Sequence, residues 1–192
     1  MAIGIEFPRV LDAARTGAEW AWRSLYQELA PTVIGYVRAR GAHSPEDVCG
    51  EVFVQVVRDI QSFQGDEQGF RSWVFVMAHR RLLDEARRRK RRPETPVDTV
   101  DLRDLAAASD TATEAMAGVE EARLRAVLDE LTPAQRDVVL LRVIADLSVE
   151  EVAQVIGKGP GAVKSLQHRA LETLRGKLTE PSEDGAALTK SP

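Results

Sequence analysis

Eight cations crowd one short stretch of this chain: Arg80, Arg81, Arg87, Arg88, Arg89, Lys90, Arg91 and Arg92, offset within it only by Asp84 and Glu85. Such a strip can neutralise phosphates and release their counterions, which predicts a salt-sensitive hold on nucleic acid. A second set stands near the other end, where Lys164, Ser165, Gln167, His168 and Arg169 follow Gly157-Lys158-Gly159-Pro160. Their donors and acceptors suit phosphates and base edges. A solvated helix face is the alternative reading of either set. The sequence shows no paired carboxylates, no nucleophile beside a base and no phosphate-cradling glycine loop, so catalysis is not expected. His43, His79 and His168 lack partners at ligand spacing, and Cys49 is the only cysteine. That excludes a Cys-rich zinc site and an intramolecular disulfide, and neither a metal nor a cofactor is expected. Cys49 falls inside a helical pattern, where an inert thiol is expected.

The two sets need different supports. Over all 192 residues the net charge is -4, too acidic for a general nucleic-acid coat. The sign reverses at Pro93: Glu94, Asp98, Asp101, Asp104, Asp110, Glu114, Glu120 and Glu121 are met by Arg103 alone before Arg123. Apolar residues make up 44% and aromatics 5%, a balance that suits helices better than a β-sandwich. No stretch has the makings of a signal peptide or a membrane span, so a soluble, cytoplasmic protein with no membrane insertion is expected.

Helical periodicity runs through both flanks. Phe7 to Ala14 reads as a short helix, and Trp22, Leu25, Leu29, Val33 and Tyr36 fall on one face of the next, with Pro31 expected to bend it. Ser44-Pro45-Glu46-Asp47 makes a helix start from a hydroxyl cap, a proline and acids at the positive end of the dipole; Val48, Val52, Val56 and Ile60 follow as its buried stripe. Phe63 to Gly69 reads as an exposed loop. Beyond it Phe70, Trp73, Val74, Met77, Ala78 and Leu82 line a helix that runs into the cations; this spacing assigns Trp73 to the core.

The second flank opens with Leu124, Val127, Leu128 and Leu131, then Thr132-Pro133-Ala134-Gln135 as another capped start. Ser148-Val149-Glu150-Glu151 caps a short helix, the glycine turn at 157–160 breaks it, and a further helix carries Lys164 to Arg169. Two short helices across a glycine turn predict a helix-turn-helix whose second member enters the major groove.

The expected fold is all-α: a helical domain at residues 1–92, a flexible acidic linker at 93–118, a helix-turn-helix domain at 119–178 and a disordered tail at 179–192.

In this order the pieces resemble the extracytoplasmic-function sigma factors, the smallest members of the sigma-70 family, from Phe7 to Leu178. Residues 44–53, the Phe70-Arg71-Ser72-Trp73-Val74 run and the Leu82 to Arg88 run are similar to sigma region 2; Leu131-Thr132-Pro133-Ala134-Gln135-Arg136 leads into a region 4 helix-turn-helix. Gly50 departs from the family's frequent glutamine, and the recognition helix is poorer in arginine than in many relatives.

The resemblance implies binding to core RNA polymerase and promoter DNA, and regulation by an anti-sigma factor. Asp47, Glu51 and Phe53 would dock on the polymerase clamp, Phe53 being equally well a core residue. Gly65, Asp66, Glu67 and Gln68 would hold an unstacked base of the −10 element, or simply be solvated. Arg80, Arg81, Arg87 and Arg88 would contact phosphates around the melted DNA, and Lys164, Ser165, Gln167, His168 and Arg169 the −35 element. The acidic linker would imitate nucleic acid near the active centre or act as a plain tether. Two other readings stay open: a helix-turn-helix regulator that works without polymerase, and an adaptor that works through protein contacts alone.

Overall fold

The computed structural model describes residues 3–91 and 124–179. The linker expected at 93–118 and the tail expected beyond Thr179 lie outside the described residues. Every regular element among the described residues is helical, as an all-α chain requires.

A 3-10 turn at Gly4–Glu6 leads into α1 (Phe7–Arg15), and α2 (Glu19–Ala39), α3 (Pro45–Asp59), a second 3-10 turn at Ile60–Ser62 and α4 (Glu67–Arg91) complete the first unit. In α1 the buried side chains are Phe7, Val10, Leu11 and Ala14, one stripe at helical spacing. Helix α2 buries Leu25, Leu29, Val33 and Val37, while Trp22 is only partly covered. The helix is continuous across Pro31, which stands on its exposed side. An interior proline costs about 3 kcal/mol. Burying the four aliphatic side chains at about 1.5–3 kcal/mol each outweighs that cost.

Two expected helix starts need correction. Ser44 makes no side-chain cap bond, so the α3 start rests on Pro45 in the first turn and on Glu46 and Asp47 at the positive end of the dipole. The loop expected to reach Gly69 ends at Asp66: its Oδ1 accepts from Gly69 N at 2.8 Å and its carbonyl from Phe70 N at 2.9 Å, which starts α4 at Glu67. Trp73, expected in the core, is half-buried at its edge, its ring tilted against Phe63 and Phe70 with centroids 5.2 and 5.6 Å away.

The second unit comprises α5 (124–129), α6 (Pro133–Val143), α7 (Val149–Ile156) and α8 (Pro160–Thr179). Thr132 with Gln135 and Ser148 with Glu151 form reciprocal capping boxes, so both starts read from the sequence are made as expected. Helix α7 ends on Gly157, whose φ of 65° is open to glycine at little cost. Leu128, Leu131, Val138, Leu141, Val152, Val163 and Ala170 fill the interior between these helices.

The units dock on each other. Helix α4 lies along α7 and α2 touches α6, so the two cores are continuous. Gly35 of α2 lies at this contact, where a Cβ would meet Ile144 Cγ2 at 3.6 Å, an ordinary van der Waals distance.

Candidate nucleic-acid and polymerase interface

Helix α8 owes its direction to Val163 and Ala170, which are fully buried, and this turns the opposite face outward. Lys164, Ser165, His168 and Arg169 are exposed and share the accessible side of one helix, while Gln167 is half-buried, toward the face of Val163 and Ala170. Ser165 Oγ donates back to Gly161 O at 3.0 Å, and Arg169 Nε to Ser165 O at 3.2 Å. His168 Nε2 stands 3.3 Å from Glu172. Lys164 projects from the first turns, the part of such a helix that reaches base edges.

The cations of α4 are not equivalent. Arg81 pairs with Glu51 of α3, and Arg87 and Arg89 pair with Asp84 and Glu85 one turn earlier. Arg80 and Arg88 are exposed and form no ion pair with a described residue. The Arg81 hydrogen bond holds the Glu51 carboxyl below its ordinary range. Within the basic strip Arg81, Arg87 and Arg89 are thus shared with carboxylates, while Arg80 and Arg88 make no such ion pair, although Arg88 also acts on Glu51 through space.

Of the residues expected at the polymerase contact, Asp47 and Glu51 are exposed on α3. Phe53 is 7% exposed and its ring packs 4.8 Å from Tyr26, which supports its core role. Val54 and Val57 present apolar surface beside the two acids, being 51% and 52% exposed. The stripe at Val48, Val52, Val56 and Ile60 leaves Val54 and Val57 off the buried face, and periodicity alone gives such off-stripe apolar residues no role.

The expected base-reading residues divide at the start of α4. Gly65 and Asp66 remain in the loop, with Gly65 at φ 153° packed over the Phe63 ring. Glu67 and Gln68 belong to the first turn of the helix. Both oxygens of Glu67 accept backbone N–H groups, from Ile3 and from Gly4, at 2.7 Å each. Gln68 Nε2 reaches the second unit, at 3.3 Å from Asp146 O and 3.1 Å from Glu151 Oε2. Asp146 holds φ 52°, a left-handed conformation uncommon for a residue with a Cβ, in the turn between α6 and α7.

A buried polar group between the units escaped the sequence reading altogether. Tyr36 Oη donates to Asp137 Oδ1 at 3.1 Å and lies 3.0 Å from His79 Nδ1; Arg40 Nε forms an ion pair with the same Asp137 oxygen at 2.6 Å. Burial pushes the His79 imidazole below its ordinary value, against the pull of Asp137, so the ring is neutral near pH 7. Burial also raises the Asp137 carboxyl, a shift that Arg40 and His79 restrain, and together with Asp137 it lifts the Tyr36 phenol well above its usual value. The Cys49 thiol is buried and pushed up to about 11, first by desolvation and then by Glu46, which leaves it protonated and unreactive. Among the described residues no group of three or more His, Cys, Asp or Glu could hold a metal ion, and no helix is long and apolar enough to cross a membrane.

With this geometry in hand, the chain can be set beside known proteins. The family model for sigma-70 region 2 matches residues 25–92, and that for sigma-70 region 4 matches residues 121–174. The ECF RNA polymerase sigma factor BldN of Streptomyces coelicolor is 30% identical over 89% of this chain, which spans 65% of BldN's length. The ECF RNA polymerase sigma factor ShbA of Streptomyces griseus is 30% identical over 86% of this chain and 92% of its own. The sigma factor RpoE of Bartonella quintana, solved in complex with the anti-sigma factor NepR, has the same fold, with a TM-score of 0.60 at 16% identity over 83% of this chain and 98% of its own. Region 2 thus falls on the unit with the basic helix and region 4 on the unit with the helix-turn-helix, and the chain belongs to the sigma-70 family as one of its extracytoplasmic-function (ECF) sigma factors.

Proposed function

We propose that this chain is an alternative sigma factor that binds core RNA polymerase and directs promoter-specific initiation, with its first unit on the −10 element and its second on the −35 element. The observation that carries this reading is the pairing of two different DNA-directed surfaces on one chain. One is the outward face of α8, with Lys164, Ser165, His168 and Arg169 exposed and Gln167 half-buried at its edge; the other is α4, which begins at the loop 63–66 and carries Arg80 and Arg88, exposed and outside any ion pair with a described residue, about 20 and 32 Å further along its axis. A helix-turn-helix regulator acting without polymerase accounts for the first surface and leaves the second, with the acidic and apolar face of α3, without a purpose.

In this reading Arg80 and Arg88 hold phosphates near the opened strand, with Arg81 and Arg87 joining once their acids release them. Gly65 and Asp66 border an unstacked base, with Glu67 and Gln68 behind them. Asp47, Glu51 and the exposed valines of α3 face the polymerase, and Phe53 supports that face from beneath. The chain positions DNA and polymerase and performs no bond chemistry itself, and it works in the cytoplasm, where polymerase and promoter meet.

The docked arrangement cannot serve both promoter elements at once. Gln68 lies 3.1 Å from Glu151, whereas elements some 25 base pairs apart are separated by about 85 Å along the duplex. The units therefore part when a promoter is bound, and the acidic segment between them sets how far. An anti-sigma factor is a natural further partner, by likeness to RpoE, which was solved with NepR.

Run-off transcription with core polymerase tests the proposal. Initiation that appears only when the chain is added, and fails when the −10 or the −35 sequence is replaced, supports it. Duplex binding without any gain in initiation contradicts it.

A further inference from the structure

Glu67 is placed to read DNA by its position, yet its carboxylate is fully engaged by the chain's own beginning. Ile3 N donates to Oε1 and Gly4 N to Oε2, each at 2.7 Å. Gly4 takes φ 64°, which lets two consecutive N–H groups converge on one carboxylate. The 3-10 turn then passes directly into α1, where Phe7 packs on Phe70 at 5.6 Å.

The far end of α1 is tied to the same segment. Arg15 donates from its guanidinium to Phe63 O at 2.5 Å, and Arg15 O accepts from Gln61 Nε2 at 2.7 Å. Helix α1 is therefore fastened at both ends across the loop at 63–66: to Glu67 after it, and to Gln61 and Phe63 before it. Between helix and loop runs a groove bordered by Gly4, Ile5, Pro8, Leu11, Gln64 and Gly65. Inside the loop the structure offers little besides the Phe63 ring beneath Gly65 and the Asp66 cap. A loop with so few internal contacts takes its order from what brackets it.

We propose that Glu67 is a positioning residue for −10 recognition, and that it acts by clamping the Ile3–Gly4 turn, which with α1 splints the base-reading loop. The inference rests on the loop reading proposed above. It assigns Glu67 no contact with DNA: with both oxygens filled by N–H donors, the side chain neither reads a base nor repels phosphate strongly. Base discrimination then depends on how rigidly Gly65 and Asp66 are presented, and a loosened splint lets the loop accept several bases alike.

Two variants of the full chain, assayed with core polymerase, break the clamp from opposite sides. Glu67→Gln puts an amide N–H against a backbone N–H. Ile3→Pro deletes one donor at a residue whose φ is already -65°, the value proline prefers. The readout is the ratio of initiation on a preferred −10 sequence to that on single-base substitutions, with the same ratio for −35 substitutions as internal control.

Each variant should lower the −10 ratio about tenfold, the weight of one charge-assisted hydrogen bond. The −35 ratio and the affinity for core polymerase should hold. The double variant should be no worse than the poorer single one, because both remove the same clamp. Variants that keep the wild-type −10 ratio, or that lose the −10 and −35 ratios together, overturn the proposal while the loop reading stands. A wild-type chain indifferent to the −10 base overturns the loop reading and this proposal with it.

Discussion

Arg40 at the C-terminal cap of α2 and Asp137 in α6 stand 2.6 Å apart, 13% and 8% exposed, and this pair ties the two units together at a point from which water is nearly excluded. Tyr36 and His79 complete the arrangement from α2 and α4. Removing one member of a buried pair leaves the other charge without compensation, at about 3–5 kcal/mol. Asp137→Ala should therefore loosen the docking by about 3 kcal/mol, while the helices of each unit stay formed. Energy transfer between dyes at exposed Val57 and Gln154, each replaced by cysteine, would report the separation; unchanged transfer would mean that apolar contacts alone hold the units.

Acid should act through His79. Its folded value lies below the unfolded one of about 6.5, so the unfolded or undocked chain binds more protons, and stability present above that range is lost as pH falls through it. The groups facing the ring are Tyr36 from α2, Arg40 at that helix's C-terminal cap and Asp137 from α6. The raised Asp137 works in the opposite direction, but its window opens from the ordinary carboxylate value upward. Docking followed by energy transfer from pH 7.5 to 5.5 should weaken progressively, and His79→Gln should flatten the curve. A wild-type curve already flat over that range would contradict the assignment.

Replacing both Arg80 and Arg88 by Ala should weaken promoter complexes most at low salt, where counterion release contributes most. The log-log slope against salt should shrink by about 1.4 to 1.8, two phosphate contacts at 0.7 to 0.9 each. Substituting Arg81 should cost more than its phosphate contact, because it also frees Glu51. Filter binding across a salt series separates the cases, and slopes that do not move would show that the free arginines of α4 face solvent in the complex.

Charge reversal at Lys164 and Arg169 should abolish −35 dependence and leave association with core polymerase intact. Each lost contact should cost about 1–3 kcal/mol of discrimination. An adaptor working through protein contacts alone predicts full activity from this variant.

Local structure was the most legible part of the sequence. The capping boxes at Thr132 and Ser148, the glycine stop at Gly157 and the valine stripe of α3 are written in a few consecutive residues, because capping and periodicity are local physics. Ser44 shows where such reading fails: the pattern for a cap was present, but the hydroxyl makes no bond. The start of α4 was missed for the converse reason, since Asp66 was read as one polar loop residue among several when it in fact caps the helix.

Contacts between distant segments were not legible. Nothing near His79 in sequence announces Tyr36 or Asp137, and the partners of Glu67 are two backbone N–H groups over 60 positions away. An isolated polar residue on an apolar helix face is the one signal that could have marked His79 and Asp137; it names a need for a partner without saying which. Val54 and Val57 were hidden differently, as apolar residues off the buried stripe whose exposure carries no local mark of a partner.

The central claim is that this chain joins polymerase to a promoter, and a titration of labelled protein into core RNA polymerase tests it most directly. Saturable binding is predicted, weakened at least tenfold by the paired change Asp47→Lys with Val54→Asp on the α3 face and unaffected by reversal of Lys164 and Arg169. No binding of the wild-type chain at micromolar concentration would contradict the account.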